Sequence, residues 1–149
     1  IKFDAIYSGY LGSTKQIGYV IDIIKNHNKD GAKAIIDPAM ADNGKLYSIF
    51  DMDYVEAMKP LCGTADILVP NITEAAFLTG CEYRESYDQA YVTELCEKLC
   101  KALLIALSVH RLKYLIVAML NGYIHIIQHL FFGFDNLDKL VSDTLRVAV

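Results

Sequence analysis

Asp66-Ile67-Leu68-Val69-Pro70-Asn71-Ile72-Thr73-Glu74 decides the reading of this chain, because an apolar strand runs directly into an Asn-x-x-Glu pair that opens a helix. Sheets with helical crossovers bind ligands just beyond the carboxyl ends of their strands. Working outward, Ala34-Ile35-Ile36-Asp37 reads as a second strand ending in a carboxylate before Pro38. The polar, Gly-containing segment from there to Phe50 shows no clear period and reads as a loop at that strand's carboxyl end. Phe3 to Ser8 reads as a further short strand, followed by Gly9-Tyr10-Leu11-Gly12-Ser13.

Helices alternate with these strands. Ser13-Thr14-Lys15-Gln16 has the Ser-x-x-Gln pattern of a capping box, so a helix should start at Ser13. Its apolar stripe is Ile17, Val20, Ile21 and Ile24, ending before Asn28 and Gly31. Residues 51–62 predict a second helix with Val55, Met58 and Cys62 inward, and a short third helix runs from Thr73 to a stop at Gly80. Asp88 to Ala102 predicts a fourth, with Val92, Leu95, Cys96 and Leu99 on one face, and Leu103 to Val109 reads as a returning apolar strand. Tyr114 to Leu120 and Tyr123 to Leu130 flank Asn121-Gly122, a strong hairpin signal, and Asn136 caps a last helix that buries Leu137, Leu140, Val141, Leu145 and Ala148. The β-α-β-α order predicts a three-layer α/β/α fold: a mostly parallel, doubly wound sheet with a β-hairpin near the C-terminal end, residues 1–149 forming a single domain.

Bulk properties exclude several function classes. The 149 residues are 54% apolar and 21% charged, with a net charge of −4, and Lys and Arg are scattered, so no basic footprint for nucleic acid exists. The longest apolar run, Leu103 to Leu120, is broken by His110, Arg111 and Lys113 and falls short of a membrane span. Cys62, Cys81, Cys96 and Cys100 show no C-x-x-C spacing, which fits a reducing cytoplasm. Cys96 with Cys100, and His125 with His129, share a face but have no further ligand in sight, and Phe131-Phe132-Gly133-Phe134 reads as buried packing.

Asp37, Asp42 and Glu74 are carboxylates at or just past strand ends. Singly, each has a local explanation: a turn before Pro, turn chemistry in Asp42-Asn43-Gly44, and a favourable helix dipole at Glu74. Together with Asn71, in this order and spacing, they resemble the pyridoxal kinases, vitamin B6 kinases of the ribokinase-like superfamily; the resemblance is good over roughly residues 1–100 and weak beyond. It implies that Asp37, Asp42 and Glu74 line a Mg²⁺ site, that Asp42, Tyr47, Asn71, Glu74 and Ser108 serve ATP, and that Tyr10 packs on the vitamer ring. It also implies transfer of the ATP γ-phosphate to the 5′-hydroxymethyl of pyridoxal, or of pyridoxamine or pyridoxine, by a homodimer. Several carboxylates beside a polyphosphate repel it unless a divalent cation lies between them. Tyr47 falls in a loop that closes over ATP in the family, and Val69 stands where the family often has a hydroxyl residue.

Two departures stand out. The family's general base lies in a Gly-Thr-Gly-Asp motif, absent from this sequence, whose place falls between the adjoining Leu130 and Phe131. The family also carries a strand and helix region ahead of the segment matching Phe3 to Ser8. The expectation is a longer enzyme, represented here without those parts. A hydroxymethylpyrimidine kinase of the same superfamily and an inactive binding or assembly module are the alternatives.

Overall fold

The computed structural model describes residues 2–27, 31–107, 114–118 and 124–128. In chain order the elements are β1 (Ala5–Ser8), α1 (Thr14–His27), β2 (Lys33–Ile36), β3 (Ala41–Asp42), β4 (Lys45–Leu46), α2 (Met52–Cys62), β5 (Ile67–Leu68), α3 (Ile72–Thr79), α4 (Gln89–Leu107), β6 (Tyr114–Ala118) and β7 (Ile124–Gln128). Five strands form one sheet in the order β1-β2-β5-β6-β7. The first three pairs are parallel and β6-β7 is antiparallel, so the expected α/β fold with a mostly parallel sheet and a late hairpin is present. Because strand order advances in one direction, right-handed crossovers carry α1, α2 and the α3–α4 pair to the same face, so the described residues supply one helical layer of the expected three-layer fold. One continuous core follows, in which Ile17 and Ile24 of α1 meet Val55, Met58 and Leu61 of α2, Ala75 and Leu78 of α3, and Val92, Leu95 and Leu99 of α4.

Three expectations change. Leu103–Leu107 is the end of α4 and not a strand. Periodicity cannot separate the two for a short apolar run, and Ala102, Leu103, Leu104, Ala106 and Leu107 are good helix formers with no Gly or Pro to stop elongation. The strand beside β5 is β6, richer in β-branched residues. The segment before Phe50 is not plain loop, since β3 and β4 pair antiparallel about Asn43 and Gly44, whose φ values of 49° and 74° are those of a tight hairpin turn. At α1 only half of the capping box forms: the Gln16 amide donates to Ser13 Oγ at 3.4 Å, while Gln16 Oε1 accepts from the Gly12 amide at 2.6 Å instead of from Ser13. Ser108, Asn121-Gly122, His129, Phe131 to Phe134, the Leu130–Phe131 junction and the helix from Asn136 lie outside the described residues.

β5 has only two residues in register with β2, Ile67 with Ile35 and Leu68 with Ile36. Buried Asp66 lengthens that seam: its Oδ2 accepts from the Ala34 amide at 2.9 Å while its own amide donates to the Ala34 carbonyl at 2.8 Å. Losing the carboxylate strands a buried amide, so Asp66→Ala is expected to lower unfolding stability by about 1–3 kcal/mol in denaturant titration. An unchanged midpoint would show that the seam does not depend on it.

Candidate functional site

The carboxyl ends of β1, β2 and β5 lie side by side, and the chain leaves each with a polar or aromatic residue. Past β1 comes Tyr10, past β2 Asp37, and past β5 Asn71. Main-chain bonds hold the exits together: the Asp37 amide donates to the Ser8 carbonyl at 2.8 Å and the Val69 amide to the Ile36 carbonyl at 2.9 Å. Parallel strands in register therefore bring together residues more than sixty positions apart in sequence.

Asn71 and Glu74 form a complete capping box at α3. Asn71 Oδ1 accepts from the Glu74 amide at 2.9 Å, and Glu74 Oε2 accepts from the Asn71 amide at 2.8 Å. Each side chain also reaches the segment after Pro38. Glu74 Oε1 accepts from the Met40 amide at 3.1 Å, and Asn71 Nδ2 donates to the Ala41 carbonyl at 2.8 Å. Glu74 is 2% exposed, and burial pushes its carboxyl from the ordinary 4.5 to about 7. The Asn71, Met40 and Ala41 amides pull it back down, while the nearby negative charge of Asp37 adds to the rise.

Asp37 and Asp42 are half-buried. Asp37 Oδ2 accepts from the Tyr7 hydroxyl at 2.8 Å, and the Tyr7 phenol is pushed up to about 12 by burial first and by this carboxylate second. Asp42 accepts from the Asn43 amide at 2.8 Å and from Asn43 Nδ2 at 3.0 Å. Tyr47 stands near all three acids: burial, then the charges of Glu74, Asp42 and Asp37, raise its phenol above the ordinary 10. It also belongs to an aromatic group with Tyr10 and Phe50, ring centroids 6.4 and 6.3 Å away, and Phe50 lies 5.6 Å from Tyr10 and stacks on Tyr54 at 3.8 Å. Tyr10 remains 57% exposed, leaving its ring open to a flat ligand.

Of the residues expected from sequence, Tyr10, Asp37, Asp42, Tyr47, Asn71 and Glu74 thus gather at one end of the sheet, and Ser108 lies outside the described residues. Among the described residues no three His, Cys, Asp or Glu side chains converge as a metal-holding group. Asp37, Asp42 and Glu74 consequently do not form a direct three-carboxylate cage here, because both Glu74 oxygens serve amides. Two half-buried aspartate carboxylates are oxygen donors of the kind a hard divalent cation takes. Sequence reasoning missed Tyr7, Phe50 and Tyr54. The 47-50-54 aromatic spacing signals the last two, whereas Tyr7 meets Asp37 only through the register of β1 and β2.

Glu74 couples this site to pH. Its folded-state value near 7 exceeds the unfolded 4.5, so the folded chain binds more protons between them and stability falls as pH rises from about 4.5 to 7. The difference in unfolding free energy between wild type and Glu74→Gln should shift across that window by an amount on the order of 3 kcal/mol. Parallel denaturation curves at pH 4.5 and pH 8 check this, and identical shifts would place the titration elsewhere.

Comparison with known proteins agrees with the fold. Residues 1–117 match the Phosphomethylpyrimidine kinase family. The pyridoxal kinase of Dictyostelium discoideum is 33% identical over 90 residues, covering 58% of this chain and 29% of that protein. A pyridoxal kinase of Actinobacillus pleuropneumoniae is 32% identical over 92 residues, 60% of this chain and 32% of that one. Among solved structures, a Bacteroides thetaiotaomicron protein assigned as a phosphomethylpyrimidine kinase, crystallised with pyridoxal, superposes with a TM-score of 0.67 at 34% identity over 78% of this chain and 38% of that one. Pyridoxal kinase from Lactobacillus plantarum gives 0.62 at 25% identity over 90% of this chain and 49% of that one. This chain spans less than a third of the length of either curated relative. With its match running from residue 1 to residue 117, the chain belongs to the phosphomethylpyrimidine kinase family.

Proposed function

We propose that this chain provides the nucleotide and metal side of a pyridoxal kinase, which transfers the ATP γ-phosphate to the 5′-hydroxymethyl of pyridoxal. The observation that carries the reading is the tie from the Asn71–Glu74 capping box to the Met40 and Ala41 backbone, in the segment that runs from Asp37 to Asp42, at one end of a parallel sheet where the Tyr10 ring is exposed. Pyridoxal kinases among the relatives, and a neighbour crystallised with pyridoxal, support it. Leishmania donovani pyridoxal kinase crystallised with ADP and pyridoxamine, 21% identical, supports the shared fold.

Phosphoryl transfer asks a protein mainly for positioning and for charge compensation. Asp37 and Asp42 would hold Mg²⁺, which would supply charge compensation for the phosphates. Asn71 and Glu74 hold the residue 40–41 backbone in place, and Tyr10 offers its ring to the pyridine. Tyr47 stands between the acids and the aromatic group, where it would keep water from the phosphates. No residue of this group is assigned as the general base. A cytoplasmic homodimer completes the proposal. Free Cys62 and Cys81 thiols suit a reducing compartment, and among the described residues no helix is long and apolar enough to cross a membrane.

A second reading, phosphorylation of a hydroxymethylpyrimidine, is favoured by the family's own description. The test is turnover of pyridoxal and of hydroxymethylpyrimidine by the purified protein with Mg·ATP, followed as loss of ATP label to each alcohol. Pyridoxal should be the better substrate. Tyr10→Ala should raise KM for pyridoxal about tenfold at unchanged KM for ATP, as expected for a lost ring contact. Asp42→Asn should lower kcat/KM for ATP about a hundredfold. Preferential turnover of the pyrimidine would install the second reading, and vitamer binding without transfer would leave a binding module.

A further inference from the structure

The β3–β4 hairpin is too small to hold itself. It pairs Ala41 with Leu46 and Asp42 with Lys45, and isolated two-stranded ribbons of this size are marginal in water. Its place is therefore set from outside. The Asn71 and Glu74 contacts fix its approach at Met40 and Ala41 but leave the far turn unheld. That turn is gripped by two residues that the Asn-x-x-Glu pattern does not specify. Thr73, 1% exposed in the first turn of α3, accepts the Gly44 amide on its Oγ1 at 3.1 Å. The Tyr83 ring lies against the same glycine: a Cβ added at Gly44 would stand 2.5 Å from Cδ1 and 2.8 Å from Cε1. Gly44 itself sits at φ 74°, where glycine alone is unstrained. The turn thus has a glycine for two independent reasons, its backbone conformation and the aromatic ring seated on it.

We propose that Thr73 and Tyr83 are positioning residues for the nucleotide site: by clamping Gly44 between a hydroxyl and a ring, they set where the Asp42 carboxylate stands. Asp42 is two residues from the clamp and on the same hairpin, so loss of either jaw lets the carboxylate wander while the core beneath stays intact. The functional part rests on the kinase reading, and the clamp itself rests on the contacts at Gly44.

The test separates the two. In Thr73→Val the shape of the buried side chain is kept and the acceptor is lost. The Gly44 amide should then exchange with solvent about tenfold faster by NMR, with amides of α1 and β1 unaffected, and Thr73→Ser should restore it. Tyr83→Ala should speed the same amide, and Tyr83→Phe should not. Mg·ATP affinity, measured by titration calorimetry, should fall about fivefold or more in Thr73→Val and recover in Thr73→Ser, while pyridoxal affinity stays unchanged. Unaltered Gly44 exchange in both Thr73→Val and Tyr83→Ala would overturn the clamp. Faster exchange with unchanged Mg·ATP affinity would overturn its role in positioning. Should the wild-type protein itself fail to bind Mg·ATP, the kinase reading and the nucleotide role fall together, and Gly44 exchange still decides whether the clamp exists.

Discussion

A single buried carboxylate joins the parts of this site. Glu74 accepts one amide from its own helix cap and another from Met40, across a gap of 34 residues. Either bond alone is ordinary, but together they lock the start of α3 to the chain leaving β2. The cost is a charge out of water, visible in a carboxyl raised to about 7, and the amides that it accepts from offset part of that cost. Since the locked segment carries Asp42 at its far end, the geometry of the strand-end acids depends on a residue that is nearly sealed from solvent.

That arrangement explains which parts of the fold are readable in one dimension. The stripe of Ile17, Val20, Ile21 and Ile24 and the stop at Gly80 are local properties, and the structure has them where the pattern puts them: Ile17 and Ile24 in the core, Gly80 as a left-handed cap at φ 70°. Leu103 to Leu107 misled because an apolar run fits a buried strand as well as a helix, and only the pairing of β5 with β6 decides. The residue 41–46 hairpin escaped for the opposite reason. Its turn chemistry, Asp42-Asn43-Gly44, was visible, but two-residue strands are too short to show alternation.

At the site, the residues named from a motif came together, whereas those brought in by register did not announce themselves. Asn71 and Glu74 are three apart and share a helix turn, so spacing alone relates them. Tyr7 and Asp37 are thirty apart and meet because Tyr7 pairs with Ile35 in parallel strands, one pleat short of the carboxylate. Thr73 is a further case. A threonine in the first turn of a helix looks like unremarkable capping chemistry, and its partner Gly44 becomes evident only when the hairpin is seen folded back onto α3.

The division of labour among the polar groups follows from this. Glu74 and Asn71 spend their hydrogen-bonding capacity on the protein's own backbone, while Asp37 and Asp42 keep partly open carboxylates. The anionic surface offered to a ligand is therefore two aspartates placed on separate segments, one on the rigid end of a sheet strand and one on a hairpin held by α3. Under the proposed kinase reading, a polyphosphate would need a divalent cation to offset these two charges. The same helix turn thus supplies the cap, the tie to the Met40 and Ala41 backbone and the bond to the Gly44 amide, which makes α3 the element that holds the hairpin bearing Asp42.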